Sequence, residues 1–247
     1  MTPTLSTPAL VLHTTAYSET SVIAKLFTRQ LGVRSYILKG VRKGGSKTKQ
    51  NLLQPLRYLD LVVYNNPKTQ LNYLKEVAPH DDGVSSTITA SMADEAIRNA
   101  VIFFMTELLY KSLREEEPDQ ALFDYVAETL VRLQEPVDAS YSQLPIVFML
   151  KLSKYLGIEP LDNYSSREPL FDIRDGCFQS VGDLTLDSAT SLLLHHFLQA
   201  VHEDAEYPIT TLSQRTQLIN WLLEYYQMHL SDFRNFKSHE ILHTVLQ

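Results

Sequence analysis

Residues 21–49 read SVIAKLFTRQLGVRSYILKGVRKGGSKTK. Two runs rich in β-branched and aromatic side chains, Ser21–Phe27 and Val33–Lys39, lie on either side of a turn at Gly32. The second leads directly into Lys39, Arg42, Lys43, Lys47 and Lys49, interleaved with Gly40, Gly44 and Gly45. The partly alternating pattern predicts two strands joined by a short turn. Moving outward, ALVLH at 9–13, LRYLDLVVY at 56–64 and QLNYLKEV at 70–77 have the same character, and are set apart by the Gly40–Gln50 stretch and by NNPK at 65–68. Five strands within residues 1–80 predict a closed barrel, because one open sheet of that size leaves two unpaired edges and an uncovered face. The five-stranded oligonucleotide-binding (OB) barrel is the architecture this pattern favours.

Beyond APHDDG at 78–83 the apolar spacing becomes helical. Met92, Ala96, Ala100, Phe103, Phe104, Leu108 and Leu113 share roughly one stripe, and EEEPD at 115–119 ends that segment. Further helices are predicted at QALFDYVAETLVRL (120–133), SQLPIVFMLKLSKYLG (142–157), SATSLLLHHFLQAV (188–201) and LSQRTQLINWLLEYYQMHL (212–230), with a short one at SHEILHTVL (238–246). The expectation is an α+β chain with an OB-fold nucleic-acid-binding domain at 1–80 and an all-α domain at 81–247. An irregular insert at 158–183, dominated by Gly, Pro, Asp and Asn, interrupts the second domain.

The net charge of −7 conceals a split. Residues 1–80 hold eleven Lys and Arg against three acids, a net +8; the remainder holds eleven against twenty-six, a net −15. Clustered cations attract a phosphate backbone through counterion release, whereas solvated basic faces are also common. Apolar residues make up 44% and charged residues 21%, as in an ordinary globular chain. The N-terminus lacks a basic n-region and no apolar run approaches a bilayer span, so the expected location is cytoplasmic. Cys177 is the only cysteine, which excludes an internal disulfide and a multi-thiolate metal site.

Two motifs are near misses. GVRKGGSKT at 40–48 puts Ser46 where a phosphate-loop lysine belongs, and no alternating βα pattern surrounds it. His239, Glu240 and His243 spell HExxH, but only four residues follow, too few to supply the further ligand that zinc hydrolases take downstream. His195, His196 and His202 read as solvated or packed side chains, and no GxSxG, CxxC or dinucleotide fingerprint is present. The expectation is therefore no catalytic activity, no cofactor and no metal. The basic stretch instead fits phosphate binding, with glycines bringing backbone close to a ligand. Base stacking on such a barrel needs rings, and Tyr36, Tyr58, Tyr64 and Tyr73 lie on the predicted strands as candidates.

The chain resembles the bacterial recombination mediator RecO family. The likeness is densest over 9–79: an opening strand, the Tyr17-x-Glu19-x-Ser21 turn, Phe27-Thr28, Gly32, Lys39-Gly40 and LLQPLRYLDLVVY at 52–64. Weaker echoes are ALFDYVAETLVRL at 121–133, LKLSKYLGIEP at 150–160 and HLSDFRNFKSHEIL at 229–242. The resemblance implies an OB domain followed by helices. It also implies binding to single- and double-stranded DNA, annealing of complementary strands, work with RecR, and help in loading RecA onto DNA coated with single-strand-binding protein (SSB). The DNA contacts expected are Arg34, Lys39, Arg42, Lys43, Lys47 and Lys49. For the acidic, aromatic-ended SSB tail, which needs an apolar groove edged by cations, Arg98, Arg132, Lys151 and Lys154 are the candidates. Many relatives hold zinc with four cysteines after the YLGIEP region, and here DIRDGCFQS supplies Cys177 alone, so side-chain packing is expected to hold that segment. The other readings open are a scaffold whose barrel binds peptide or RNA and, third, an HExxH zinc hydrolase.

Overall fold

The computed structural model describes residues 4–41, 51–64, 71–81, 91–114, 117–137 and 139–246. Five strands, β1 (Thr4–Ala16), β2 (Val22–Thr28), β3 (Gly32–Leu38), β4 (Tyr58–Tyr64) and β5 (Leu71–Pro79), close into a barrel of order β1-β2-β3-β5-β4. All neighbours are antiparallel except β3 and β5, which pair in parallel through Ser35–Leu71, Tyr36–Asn72 and Ile37–Tyr73. This is the OB barrel, and it is followed by helices, as the strand count and apolar spacing predict. Closure depends on β1, whose thirteen residues serve two partners: Thr4–Leu10 run beside β4 and Ala9–Ala16 beside β2, with an irregularity between Val11 and His13. The strand begins earlier than ALVLH indicates. Pro8 has no N–H to give, yet its carbonyl accepts from the Arg29 backbone N–H at 3.0 Å.

Period-two alternation fills the barrel interior with Ala9, Val11, Val22, Ala24, Leu26, Tyr36, Leu38, Leu59, Leu61 and Val63. The opposite parity is apolar too on β1 and β2, where Leu10, Leu12 and Phe27 are also buried. For Phe27 a helix is the cover. Among the helices in the described residues, numbered in chain order, α1 spans Met92–Ser112 and α2 spans Gln120–Arg132. Phe123 of α2 meets Phe27 edge-on at 5.3 Å and Tyr58 at 5.9 Å. Arg29 and Asp124 form a two-pronged pair, Nε to Oδ1 at 2.7 Å and Nη2 to Oδ2 at 2.8 Å. That bond holds the Asp124 carboxyl below the usual carboxylate range. Gly32 turns between β2 and β3 with φ +66°, and a Cβ there would stand 2.5 Å from the Glu117 carbonyl oxygen. The turn thus needs glycine both for its backbone and for the close passage of the segment entering α2.

Two compact units result, neither continuous in sequence: Met1–Thr89 with Leu113–Glu135, and Ala90–Ser112 with Pro136–Gln247. In the second unit α3 (Leu144–Tyr155) is buried along both halves of its surface and packs against α1, α4 (Ser188–Glu203) and α5 (Leu212–His229). A helix apolar all round belongs at the centre of a bundle. Tyr226 of α5 donates its hydroxyl to the Met149 carbonyl at 2.6 Å. The last helix, α6 (Ser238–Val245), is tied to α1 by Glu107, which accepts from the backbone N–H groups of Lys237 and Ser238. On α1 the expected stripe is only partly correct. Ala100, Phe104 and Leu108 are buried, but Met92 is 90% exposed and Phe103 is 48% exposed, while Val101, Met105 and Leu109 complete the inner face.

Candidate nucleic-acid interface

α2 lies against the outer side of β2 and β4 through Phe27 and Tyr58; on the β3–β5 flank Val33 and Ile37 are buried, and the exposed groups include Lys39, Tyr73 and Lys75. Lys39 follows β3 on the outward parity, and its Nζ stands 4.9 Å from the centre of the Tyr73 ring on β5. Tyr73 is half exposed. The β4–β5 register slips between Val62 and Val63, which face Glu76 and Leu74 respectively, leaving Lys75 as the extra residue. Such a bulge re-aims side chains. Leu74 and Val77 turn to the core, while Tyr73, Lys75 and Glu76 all emerge on the surface. Lys75 and Glu76 approach to 3.6 Å. Between these groups lies a cleft of ≈ 300 Å³ with Val41, Leu52, Leu74 and Val77 as apolar lining and Lys39, Tyr73 and Lys75 at its polar side.

Of the expected DNA contacts, Lys39 stands at this cleft and Arg34 does not. Arg34 occupies the inward parity of β3 with Tyr36 and Leu38, about 16 Å along the strand from Lys39 at 3.3 Å per residue. Its Nε donates to the Leu31 carbonyl at 3.2 Å. Arg42, Lys43, Lys47 and Lys49 lie outside the described residues. The four candidate rings divide evenly. Tyr36 is sealed in the barrel, where burial pushes its phenol up to about 12, and Tyr58 is stacked on His80 at 4.0 Å beneath Phe123. Tyr64 and Tyr73 are 40% and 50% exposed. Lys75 was not among the sequence candidates; its alternation with Tyr73 carried the signal, and the bulge that exposes it did not show.

The SSB-tail candidates fall in both units. Arg132 closes α2 in the first; Arg98 on α1 and Lys151 and Lys154 on α3 belong to the second. Lys151 pairs with Asp204 at 3.7 Å, and Lys154 is exposed.

The insert has its own framework, with short strands β6 (Leu170–Asp172) and β7 (Cys177–Gln179). Buried Asp172 accepts from the N–H groups of Arg174 at 2.8 Å, Asp175 at 3.2 Å and Leu184 at 3.2 Å. Burial pushes its carboxyl up, but those three donors outweigh it and leave it below the ordinary range. Asn163 exchanges two hydrogen bonds with the Phe178 backbone, at 2.8 and 2.9 Å. Tyr164 stacks on His195 at 4.4 Å, and Asp162 meets the same imidazole at 2.6 Å. Phe171 and Phe178 contact edge-on at 5.1 Å. The donor set does not fit zinc: one cysteine is present, and among the described residues no three His, Cys, Asp or Glu side chains gather. At the HExxH sequence, His239 and His243 lie ring edge to face at 5.7 Å, and burial followed by His239 holds His243 below the usual imidazole range.

A closed OB barrel followed by helices, with exposed cations and a ring on one flank, has the architecture on which single-strand binders present charge and stacking surfaces. Residues 1–81 match the family described as Recombination protein O N terminal, and residues 94–238 match Recombination protein O C terminal. The chain belongs to the RecO family. It is 27% identical over 242 residues to the DNA repair protein RecO of Azobacteroides pseudotrichonymphae, covering 97% of this chain and 98% of that one. It is 29% identical to the DNA repair protein RecO of Christiangramia forsetii over 98% of both chains. To that of Phocaeicola vulgatus it is 29% identical over 96% of both. Among the described residues no helix is long and apolar enough to cross a membrane.

Proposed function

We propose that this chain is a recombination mediator without catalytic chemistry of its own. It binds single- and double-stranded DNA, anneals complementary strands and, with RecR, helps load RecA onto SSB-coated DNA. The observation that carries the reading is the cluster of Lys39, Tyr73 and Lys75 on the β3–β5 flank, with Lys39 leading, in sequence, into the cations of residues 42–49. The first eighty residues supply the OB-fold nucleic-acid-binding domain. Its Lys and Arg side chains neutralise phosphates on two strands, lowering their mutual repulsion and displacing condensed counterions. Residues 81–247, net negative, favour contacts with protein partners over polyanions.

For the acidic SSB tail the proposed contacts are Arg98, Arg132, Lys151 and Lys154; a tail peptide that binds equally after all four are changed to Ala removes that assignment. The reading as a whole is tested by mobility shift of labelled single-stranded DNA and RNA, with strand annealing in the absence of ATP. DNA binding with ATP-independent annealing is expected. RNA binding without DNA binding would overturn it in favour of an RNA-binding barrel, and binding of neither would leave the scaffold reading.

A further inference from the structure

We infer that the cleft between the end of β3 and β5 seats a single unpaired nucleobase, with Tyr73 as its stacking platform. This rests on the DNA-binding reading above and adds the mode of single-strand capture.

Three observations lead there. First, the ring is available: Tyr73 is 50% exposed although it sits in mid-strand, and the bulge at Lys75 turns both residues outward. Second, the cleft has the right chemistry. Its apolar lining, Val41, Leu52, Leu74 and Val77, contributes side chains with no hydrogen-bonding group, so a base is held by its faces and sequence is not read. At ≈ 300 Å³ it stands at the lower limit of the roughly 300–1,000 Å³ typical of ligand pockets, room for one ring system. Third, the charge is placed for a nucleotide. The Lys39 ammonium lies 4.9 Å from the Tyr73 ring centre and Lys75 is two residues away, so phosphates flanking a seated base meet two cations. The one carboxylate at the cleft, Glu76, is engaged by Lys75 at 3.6 Å.

A base within a duplex is stacked and paired, and must leave both arrangements to enter; a single strand offers its bases freely. The seat therefore separates the two substrates. Duplex is held through phosphates alone, and single strands through phosphates and one stacked base. When a complement pairs, the base restacks in the new duplex and leaves the seat, which loosens the product relative to the substrate.

The test compares the wild-type chain with Tyr73→Ala and Tyr73→Phe. Each is titrated with a labelled dT oligonucleotide, the same oligonucleotide annealed to its complement, and an oligonucleotide of equal length made wholly of abasic sugar-phosphate. Loss of one stacked base corresponds to a fivefold to roughly hundredfold weaker affinity. Tyr73→Ala is expected to lose that factor on oligo(dT), with Tyr73→Phe close to wild type. Both variants should bind duplex and the abasic strand as the wild type does, and the dependence of affinity on salt should be unchanged. Equal losses on single strand and duplex would overturn the base seat, making Tyr73 only a support for Lys39. Unaltered oligo(dT) affinity would overturn it too. A wild-type chain that binds none of the three strands defeats the DNA reading itself, a result separate from any effect of Tyr73.

Discussion

The barrel has two flanks with the same backbone and opposite fates. On the β2–β4 side, Phe27 and Tyr58 face outward and are covered by the Phe123 helix; on the β3–β5 side, Lys39, Tyr73 and Lys75 face outward in the open. A closed barrel has no edges to protect, but its outer surface still has to be solvated or covered. The helix does the covering on one side, and on the proposed reading that leaves the other side to a polyanion. Arg29 makes the difference visible. It is a cation on the covered flank, and Asp124 holds both prongs of its guanidinium, whereas Lys39 has an aromatic ring beneath it and Lys75 an exposed carboxylate 3.6 Å away.

The strongest way to break this division is to uncover the covered flank. Phe123→Ala removes a fully buried ring that touches Phe27 and Tyr58, and the expected cost is about 3–5 kcal/mol of stability. Gly32→Ala should act in the same direction, since it combines a left-handed backbone with collision against the Glu117 carbonyl. Thermal or urea denaturation measures both. DNA affinity per folded molecule should be preserved; a loss of affinity in molecules shown to be folded would place DNA on the helix side.

The second effect belongs to Lys39 and the basic stretch that follows it in sequence. If four to six phosphates are contacted, affinity for single strands should fall with salt at a log–log slope of about −3 to −4, from roughly −0.7 per contact. Replacing Lys39, Arg42, Lys43, Lys47 and Lys49 by Ala should flatten that slope and leave the melting temperature nearly unchanged. A slope that stays as steep as in the wild type shows that the phosphates lie elsewhere.

How far the sequence discloses this division can be followed residue by residue. The strands of the barrel and the helices at 120–132, 188–201 and 212–230 are legible because period two and period 3.6 differ plainly. That Phe123 seals the barrel is not, because an amphipathic helix shows only that one face is buried, never against what. The parallel β3–β5 pairing and the bulge at Lys75 are equally silent in the pattern, since register depends on partners distant in the chain. Tyr73 therefore looked equivalent to Tyr36, and Arg34 equivalent to Lys39, until pairing set their parity. Met92 and Phe103 show the converse error, where apolar spacing continues past the stretch of helix that has something to pack on.

A third measurement, in the other unit, sharpens the comparison by showing that stability and DNA binding separate. Asp172→Ala removes a buried acceptor and leaves three backbone N–H donors of the insert without it, at an expected cost of roughly 1–3 kcal/mol, with the salt slope unaltered. Its pH dependence has a definite sign. The folded carboxyl titrates below the unfolded value of about 3.9, so its stabilisation is complete above that pH and is lost as pH falls through the lower, folded value. Between neutrality and about pH 5, the wild type should therefore show no loss from this group, and below pH 4 the gap between wild type and Asp172→Ala should narrow. A gap that persists undiminished at the lowest accessible pH would mean that the carboxylate charge is not what holds the loop.

The smallest expected effect comes from releasing Arg29, which Asp124 restrains on the covered flank. Asp124→Asn removes the charge that pairs Arg29 and keeps the side chain's size, so α2 remains seated by Phe123 while the guanidinium becomes free to seek another anion. If single strands reached that flank, the variant would gain a contact, and the salt slope would steepen by about 0.7. If they are confined to β3 and β5, the slope stays within that margin of the wild type and only a slight loss of thermal stability is seen, as expected for an exposed ion pair. A steeper slope with tighter binding would thus undo the division between the flanks even if every variant of the open side behaved as predicted.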